Sequence, residues 1–217
     1  DYKDEFVTTP IASATGIRKK IQNNGLESIK GYIPLETYIE LKDFYNKYKS
    51  FNYLENYNEI FQYLLRISTK EELMQIMDIE NGLENRILDK GQTSNDINEI
   101  INNVQTRRYP KTRIQRIFIQ LLNRLYGDII KDIYSKSPSY VRVLGSNNKG
   151  LELLNRIKEA SHIPIITKFA DSKYIEDESI KKMLRFEENS TNLFFLGLHL
   201  EKPLVNMDYL TSPYIIK

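Results

Sequence analysis

The sequence predicts a mainly α-helical fold with a small βαβ element near the C-terminus, an α+β architecture. Apolar residues recur at helical spacing through most of the first 127 residues. Cap residues, prolines and glycines stand where such helices should begin and end. Further on, two β-branched runs, Tyr140 to Leu144 and Ile163 to Thr167, flank the helical segment Leu151 to Ile157. That strand–helix–strand spacing is typical of a parallel βαβ unit.

Composition narrows the class of protein. A chain of 217 residues with 41% hydrophobic and 28% charged residues can bury a substantial core, as one large domain or two small ones. No apolar run approaches the ~18 residues that span a membrane, so no membrane partner is expected. The chain has no cysteine, which excludes disulfides and thiolate chemistry and favours a cytoplasmic location. Its net charge is only +2, so any nucleic-acid site must come from local clustering of cations.

Start and stop residues predict the helices in order. Ser13 or Thr15 caps a first helix that Gly25 ends, and Pro34 opens the second. A capping box within Ser68 to Glu71 precedes a further helical turn. The predicted helical segments are 13–23, 34–48, 58–67, 80–89, 96–104, 111–125, 151–157 and 177–200, with a turn over 91–94 before the fifth.

The segment Lys111 to Leu125 has the strongest helical period. Arg113, Arg116 and Arg124 fall on a different face from its apolar residues, and Pro110 marks its start. The apolar residues form one stripe: Ile114, Ile117, Phe118, Leu121, Leu122 and Leu125. Packing of that stripe would hold the cations on a loop and on the first turns of an anchored helix.

Cations concentrate in one place. Thr106 to Arg116 holds five cations and no acid, and Ile100 to Gly127 holds six Lys or Arg and no Asp or Glu. Arginine grips phosphate oxygens in a fixed fork, so the segment predicts a polyanion site, and RNA is the expected polyanion. The candidate RNA-binding residues are Arg107, Arg108, Lys111, Arg113 and Arg116. The alternative is a solvated helix face with ion pairs to acids elsewhere. Tyr109 could stack on a base or pack against the helix start.

A second candidate site lies at the start of the first helix. Hydroxyls of Ser13 and Thr15, with Arg18 one turn further, could hold nucleotide phosphates together with backbone N–H groups. An ordinary helix N-cap is the alternative.

Other patterns favour structural roles. The polar loop Gly145 to Gly150 lacks the spacing of a P-loop, so a turn with helix capping is favoured over an anion site. Glu80 and Glu84, four residues apart, could be a catalytic pair, but pairing with Arg86 or Lys90 is the commoner role. His162 and His199 lack metal-ligand spacing, so no protein-bound metal is predicted. The aromatic residues between 44 and 63 predict a core seam between two helices, with RNA stacking as the alternative.

Several of these segments, taken in order, resemble one bacterial family. Ser13 to Arg18 is similar to the serine/threonine-isoleucine-arginine motif that closes the active site of HxGH-type nucleotidyltransferases. Four further segments resemble the C-terminal half of tRNA(Met) cytidine acetate ligases: Glu80 to Ile87, Thr106 to Arg116, Tyr140 to Gly150 and Ile163 to Lys168. The resemblance covers nearly the whole chain.

The resemblance implies an activity. Members of this family activate acetate with ATP as acetyl-adenylate and transfer the acetyl group to N4 of the wobble cytidine of elongator tRNA(Met). Carried over, Arg18 would contact ATP, with Ser13 and Thr15 beside the phosphates and Mg as a candidate accompanying ion. The partners expected are therefore tRNA, ATP and acetate. The role of the basic residues in holding tRNA is an electrostatic inference more than a family property.

One departure from the family limits this expectation. The family's histidine-containing HxGH motif is absent, and no histidine precedes His162. We expect residues 1–30 to be the tail of a nucleotidyltransferase-like catalytic domain and residues 31–217 to form a helical tRNA-binding domain. The chain alone should not catalyse adenylation. The alternatives are a non-catalytic RNA-binding or ribosome-associated helical module and an adaptor whose basic face meets an acidic protein.

Overall fold

The chain folds into two units, Asp1–Phe51 and Asn52–Lys217. The computed structural model describes residues 12–127, 129–131 and 138–216. Most described residues are helical, and the short strands lie near the C-terminus, which confirms the predicted fold class at that level. The functional boundary expected between residues 30 and 31 is a separate matter and stays a prediction. None of the described helices combines the length and apolar content that crossing a bilayer requires.

The first unit contains two helices joined by a 3₁₀ turn. Helix α1 (Ala14–Asn24) begins where the Ser13 side chain accepts a hydrogen bond from the Gly16 N–H, and ends at Gly25 in a positive-φ conformation (φ 78°). The turn spans Leu26–Ile29, and α2 (Leu35–Tyr48) follows Pro34. Both helices were predicted from these caps to within one residue.

A helical bundle forms the larger part of the second unit. Its elements are a 3₁₀ turn (Leu54–Tyr57), α3 (Asn58–Ile67), α4 (Lys70–Leu73), α5 (Leu83–Thr93), α6 (Ile97–Val104) and α7 (Lys111–Leu122). The core is built from their apolar stripes and includes Phe61, Ile87, Ile101, Ile114 and Phe118, none more than 1% exposed. Burial of the Lys111–Leu122 stripe anchors the helix that follows the basic loop.

Several predicted helix details are wrong. Helix α5 begins at Leu83, not at residue 80, and it continues through Gly91 to Thr93 where a turn was expected. Leu65 packs closely against this glycine, since a Cβ on Gly91 would lie 2.9 Å from Leu65 Cδ1. Helix α7 stops at Leu122, short of residue 125, and Arg124 takes a positive φ of 52°. The capping box, predicted within Ser68 to Glu71, is formed by Thr69 and Glu72.

The predicted aromatic seam divides between the two units. In the first, Phe44 contacts both Tyr48 and Phe51, with ring centroids 4.7 and 5.8 Å apart. In the second, Tyr57 and Phe61 lie in the bundle core. Tyr63, in contrast, is 61% exposed, so the expectation of a single buried seam is wrong.

Parallel strand pairing occurs twice near the C-terminus. The elements are β1 (Val141–Arg142), β2 (Gly145–Asn147), α8 (Asn148–Ala160), β3 (Ile165–Ile166), a 3₁₀ helix (Phe169–Tyr174), α9 (Glu178–Leu196), α10 (Met207–Leu210) and β4 (Tyr214–Ile216). Strand β1 pairs with β3 in parallel, as predicted for the βαβ unit, and β2 pairs in parallel with β4. The second pairing was not predicted. A second core cluster consists of Ile166, Phe169, Ile180 and Leu184.

Candidate nucleic-acid interface

The loop before α7 is a closed turn. Thr106 N–H donates to the Tyr109 carbonyl (2.9 Å), and Tyr109 N–H donates back to the Thr106 carbonyl (3.1 Å) and lies 3.1 Å from the Thr106 hydroxyl. Pro110 then begins α7 in an extended conformation. The two central residues of the turn, Arg107 and Arg108, are both exposed. Their side chains are therefore presented at the tip of a hydrogen-bonded turn.

The basic cluster is the set of five cations in this segment: Arg107, Arg108, Lys111, Arg113 and Arg116. Three of them form ion pairs with two carboxylates from the turn before α5. Arg113 donates to Glu80 Oε1 (2.8 Å) and to the Asp78 carbonyl (2.7 Å), while Arg108 pairs with the other oxygen of Glu80. Arg116 Nε donates to Asp78 Oδ2 at 2.6 Å. The segment itself contains no acidic residue, but the fold brings Asp78 and Glu80 next to it.

Neutralisation of the cluster is incomplete. Five cations against two carboxylates leave a net charge of +3. Among the described residues, Arg107 and Lys111 have no ion pair. Arg108 keeps 73% of its side chain exposed, whereas Arg113 keeps only 20%. Arg113 therefore serves the fold, and the surface charge belongs to the other four residues.

Hydrogen bonds shape the turn that carries these carboxylates. Gly82 has φ 94°, a conformation in which glycine is favoured, and its N–H donates to Glu84 Oε2 at 2.7 Å. The other Glu84 oxygen accepts from the Asn85 amide at 2.6 Å, and the side chain is buried. Glu80 and Glu84 do not form the helical pair considered from the sequence, because Glu80 precedes α5. Arg86 donates to the Asn103 carbonyl.

Two arginines lower the pKa of Glu80 below its usual value. The hydrogen bond from Arg113 is the larger cause and that from Arg108 the second. The carboxylate therefore stays ionised and holds both guanidinium groups at neutral pH.

Tyr109 lies between the same two guanidinium groups. Arg108 and Arg113 are 5.4 and 5.2 Å from its ring centroid, which is within cation–π range. The ring is half-buried and packs against the bundle core. This arrangement favours the packing role over the free base-stacking role considered from the sequence.

The predicted nucleotide site lies in the first unit. Ser13 is the N-cap of α1, and Thr15 and Arg18 are exposed, three residues apart on one helix face. Arg18 has no ion pair to a described carboxylate. Pro10 and Ile11, which precede the motif, lie outside the described residues.

The predicted loop from Gly145 to Gly150 is wrong, because Gly145–Asn147 is strand β2 and α8 begins at Asn148; the favoured helix-capping role is found. Asn147 caps α8 by accepting from the Gly150 N–H at 2.9 Å. A Cβ on Gly150 would lie 2.3 Å from the Ser146 hydroxyl, so a larger residue there would require that side chain to move. The described residues contain no grouping of three or more potential metal-ligating side chains.

Sequence reasoning missed one polar network. Arg142 on β1 donates to Glu187 (3.0 Å) and to Asp208, and its guanidinium lies 4.6 Å from the Phe169 ring centroid. The Tyr140 hydroxyl donates to the same Glu187, and burial, followed by that hydrogen bond, raises the Tyr140 pKa. The partners lie 45 and 66 residues away along the chain, so no local pattern marks them.

Comparison with known sequences finds one family over most of the chain. A family model described as HIGH Nucleotidyl Transferase matches residues 1–204. The tRNA(Met) cytidine acetate ligase of Clostridium perfringens (strain ATCC 13124) is 33% identical over 219 residues, and that of Thermoanaerobacter sp. (strain X514) is 36% identical over 215. These alignments cover 100% and 95% of this chain, and 50% and 51% of the relatives. The chain thus spans about half the length of the curated relatives it matches.

Comparison with solved structures finds the same fold. Crystal structures of Thermotoga maritima TmcAL, one apo and one bound with alpha-thio ATP, match with TM-scores of 0.91 and 0.89. Each is 19% identical to this chain. The alignments cover 100% and 97% of this chain and 53% of each solved chain.

Proposed function

The chain belongs to the HIGH Nucleotidyl Transferase family, and on that premise we propose that it supplies the tRNA-docking part of a tRNA(Met) cytidine acetate ligase. The relatives matched over nearly the whole chain carry that name. In the proposed reaction, ATP activates acetate as acetyl-adenylate, and the acetyl group passes to N4 of the wobble cytidine of elongator tRNA(Met).

One observation carries the docking proposal: the basic cluster keeps a net charge of +3 on a hydrogen-bonded turn and the first turns of α7. Arg107 and Lys111 have no ion pair to a described carboxylate, and Arg108 is largely exposed. Because a hydrogen-bonded turn and a buried helix stripe hold the backbone of these residues, little backbone entropy is lost on binding a phosphate backbone. Phosphate contacts of this kind position an RNA without reading its sequence.

The start of α1 supports a nucleotide-binding role in the same enzyme. Thr15 and Arg18 share one exposed face, and the Ser13 hydroxyl caps the helix beside them. A guanidinium there would offset the charge that develops on the phosphates as pyrophosphate leaves. No described residue is assigned to Mg.

The docking proposal is tested by the salt dependence of tRNA binding. We expect Arg107→Ala/Lys111→Ala to bind a tRNA transcript more weakly and with a salt slope shallower by about 1–2, since each lost phosphate contact removes ~0.7–0.9 from the slope. Gel shifts at several salt concentrations measure both quantities. The pair leaves Arg113 and its structural bonds intact.

A matched control removes the same charge elsewhere in the second unit. Lys70 and Lys202 are exposed, so Lys70→Ala/Lys202→Ala should leave the slope close to that of the unmodified chain. Equal slopes for all three proteins would remove the basic cluster from the docking role.

The nucleotide-binding role needs a separate test in a ligase that carries this chain together with the remaining half of its relatives' length. Arg18→Ala should reduce acetate-dependent ATP–pyrophosphate exchange at least 100-fold, since removing a charge-stabilising donor typically costs that much. Lys20→Ala, on the same helix, is the control. Unchanged exchange in the Arg18 variant would contradict the assignment.

The pairing of three cluster arginines with carboxylates also favours the acidic-partner alternative. If poly-glutamate of matched charge competes with tRNA as well as poly-uridylate does, an acidic protein becomes the better candidate partner.

A further inference from the structure

A cleft of about 310 Å³ lies along the C-terminal part of α7, between the segment before α3 and helix α9. Its wall is mainly apolar and aromatic and includes Tyr53, Ile119, Leu193 and Phe194. Ile119 is 45% exposed although its side chain is large and apolar. The volume is at the small end of the ~300–1,000 Å³ range of ligand clefts.

The wall of the cleft is held in place by hydrogen bonds. The Asn52 amide donates to the Tyr57 hydroxyl (2.6 Å) and to the Phe194 carbonyl (2.8 Å), and the Tyr57 hydroxyl donates to the Leu193 carbonyl (3.0 Å). Ser190 donates to Asn123 at 2.8 Å. The cleft is therefore pre-formed, and these polar groups already have partners.

Tyr53 differs from the other polar residues of the wall. Its hydroxyl makes no hydrogen bond to a described residue, and burial raises its pKa. The hydroxyl of this half-buried ring is available to a ligand that supplies a hydrogen-bonding edge as well as an apolar face.

Helix α7 connects the cleft with the basic cluster. Arg116, Ile119 and Asn123 recur at i, i+3 and i+7, so they lie on one stripe of the helix. Arg116 uses Nε for Asp78, and its two terminal nitrogens bind no described residue. A phosphate held by those nitrogens would lie on the stripe that continues into the apolar cleft, about 4.5 Å of helix rise from Arg116 to Ile119.

We propose that the cleft receives an unpaired nucleobase of the RNA whose phosphates contact the basic cluster. The inference rests on the proposed docking function and adds a second, uncharged part to the binding site. Phe194 and Ile119 would contact the faces of the base, and Tyr53 would bond its polar edge. Apolar and aromatic contact of this kind tolerates different bases.

Two probes separate the cleft from the basic cluster. Fluorescein-labelled decauridylate carries bases and phosphates, whereas labelled polyphosphate of similar length carries charge alone. With the 217-residue chain, we expect Phe194→Ala to bind decauridylate about tenfold more weakly, as for loss of one stacking aromatic, and polyphosphate unchanged. Its salt slope on decauridylate should match that of the unmodified chain.

The control variant is Tyr63→Ala, which truncates an exposed aromatic on α3 outside the cleft and should bind both probes normally. Equal losses by Phe194→Ala on the two probes, or no loss on decauridylate, would overturn the cleft proposal while the docking function stands. Failure of the unmodified chain to bind either probe at low salt would instead remove the docking function, and the cleft proposal with it.

Crosslinking keeps the proposal testable if Phe194→Ala does not fold. Decauridylate containing 4-thiouridine, irradiated with the unmodified chain, should give adducts that mass spectrometry maps to Tyr53 or Phe194. Adducts confined to residues of the Thr106–Tyr109 turn would overturn the proposal.

Discussion

At the residue scale, local composition predicted the position of the basic cluster but not its ion pairs. A stretch of 28 residues without an acid, 100–127, predicted an uncompensated cationic surface. The fold instead brings Asp78 and Glu80 from more than 25 residues away and pairs them with three of the five cations. Ion pairs of that kind depend on tertiary contacts that no local pattern encodes. The RNA-binding assignment of the cluster residues stays a prediction.

Glu80→Gln should change the pH dependence of stability. The two arginines hold the folded-state pKa of Glu80 below its ordinary 4.5, so its contribution is fully present above about pH 4.5 and is lost as the pH falls through the folded-state value. We expect the unmodified chain to exceed Glu80→Gln in unfolding free energy at pH 7, and the difference to shrink as the pH falls below 4.5 and through the lowered pKa of Glu80. Urea unfolding at several pH values measures this.

Glu152→Gln serves as the control for that series, because Glu152 is exposed on α8 and has no ion pair to a described residue. A Glu80→Gln difference that stays constant from pH 7 to pH 3 would show that the carboxylate charge contributes nothing.

At the element scale, caps and apolar period predicted most helices because both signals are local. Asp96 and Asp177, the first residues of two predicted helical segments, each cap a helix by accepting from N–H groups two or three residues later. Long-range contacts accompany the misses: Leu65 packs closely against Gly91 inside α5, and β2 pairs with residues near the end of the described chain. Such contacts override local propensity.

Gly82→Ala should destabilise the turn that carries Asp78 and Glu80. The position has φ 94°, yet a Cβ there would meet nothing within 4 Å, so the expected cost of ~1–2 kcal/mol comes from backbone conformation alone. Gly31→Ala is the matched control, since it also has open space but no positive φ, and should stay within ~0.5 kcal/mol. Thermal and urea unfolding measure both; equal effects would exclude backbone strain at Gly82.

At the scale of the whole molecule, the resemblance stated from the motifs is confirmed, because a family model matches residues 1–204 and the ligase relatives align along the chain. The predicted parallel pairing of β1 with β3 is also found. The second unit nevertheless has two separate buried clusters, one in the helical bundle and one around Phe169. The hydrogen bonds of Arg142 lie beside the smaller cluster, where its guanidinium contacts Phe169. Arg142, Glu187 and Asp208 are too far apart in sequence for this network to be predicted.

Arg142→Met should loosen the smaller cluster alone. Asp208 is 7% exposed, and one of its carboxylate oxygens has no hydrogen-bond partner among the described residues, so losing the guanidinium would leave a buried charge at a cost of ~3 kcal/mol. Hydrogen exchange should accelerate in β3 and the first half of α9, but not in α3 or α6.

Two variants complete that experiment. Lys181→Met breaks an exposed pair with Glu178 and should cost less than ~1 kcal/mol. Adding Asp208→Asn to Arg142→Met should recover part of the loss. Uniform acceleration of exchange across the second unit would show that the two clusters unfold together.

The pairing of β2 with β4 has a consequence for biosynthesis. The two strands lie 69 residues apart, counting from Gly145 to Tyr214. At ~5–20 residues per second, a ribosome needs about 3–14 s to deliver the second strand after the first. Until then the backbone N–H and C=O groups of β2 have no β4 to pair with, and the exposed Leu144 lies beside them. We therefore expect the folding yield to respond to translation speed over this stretch.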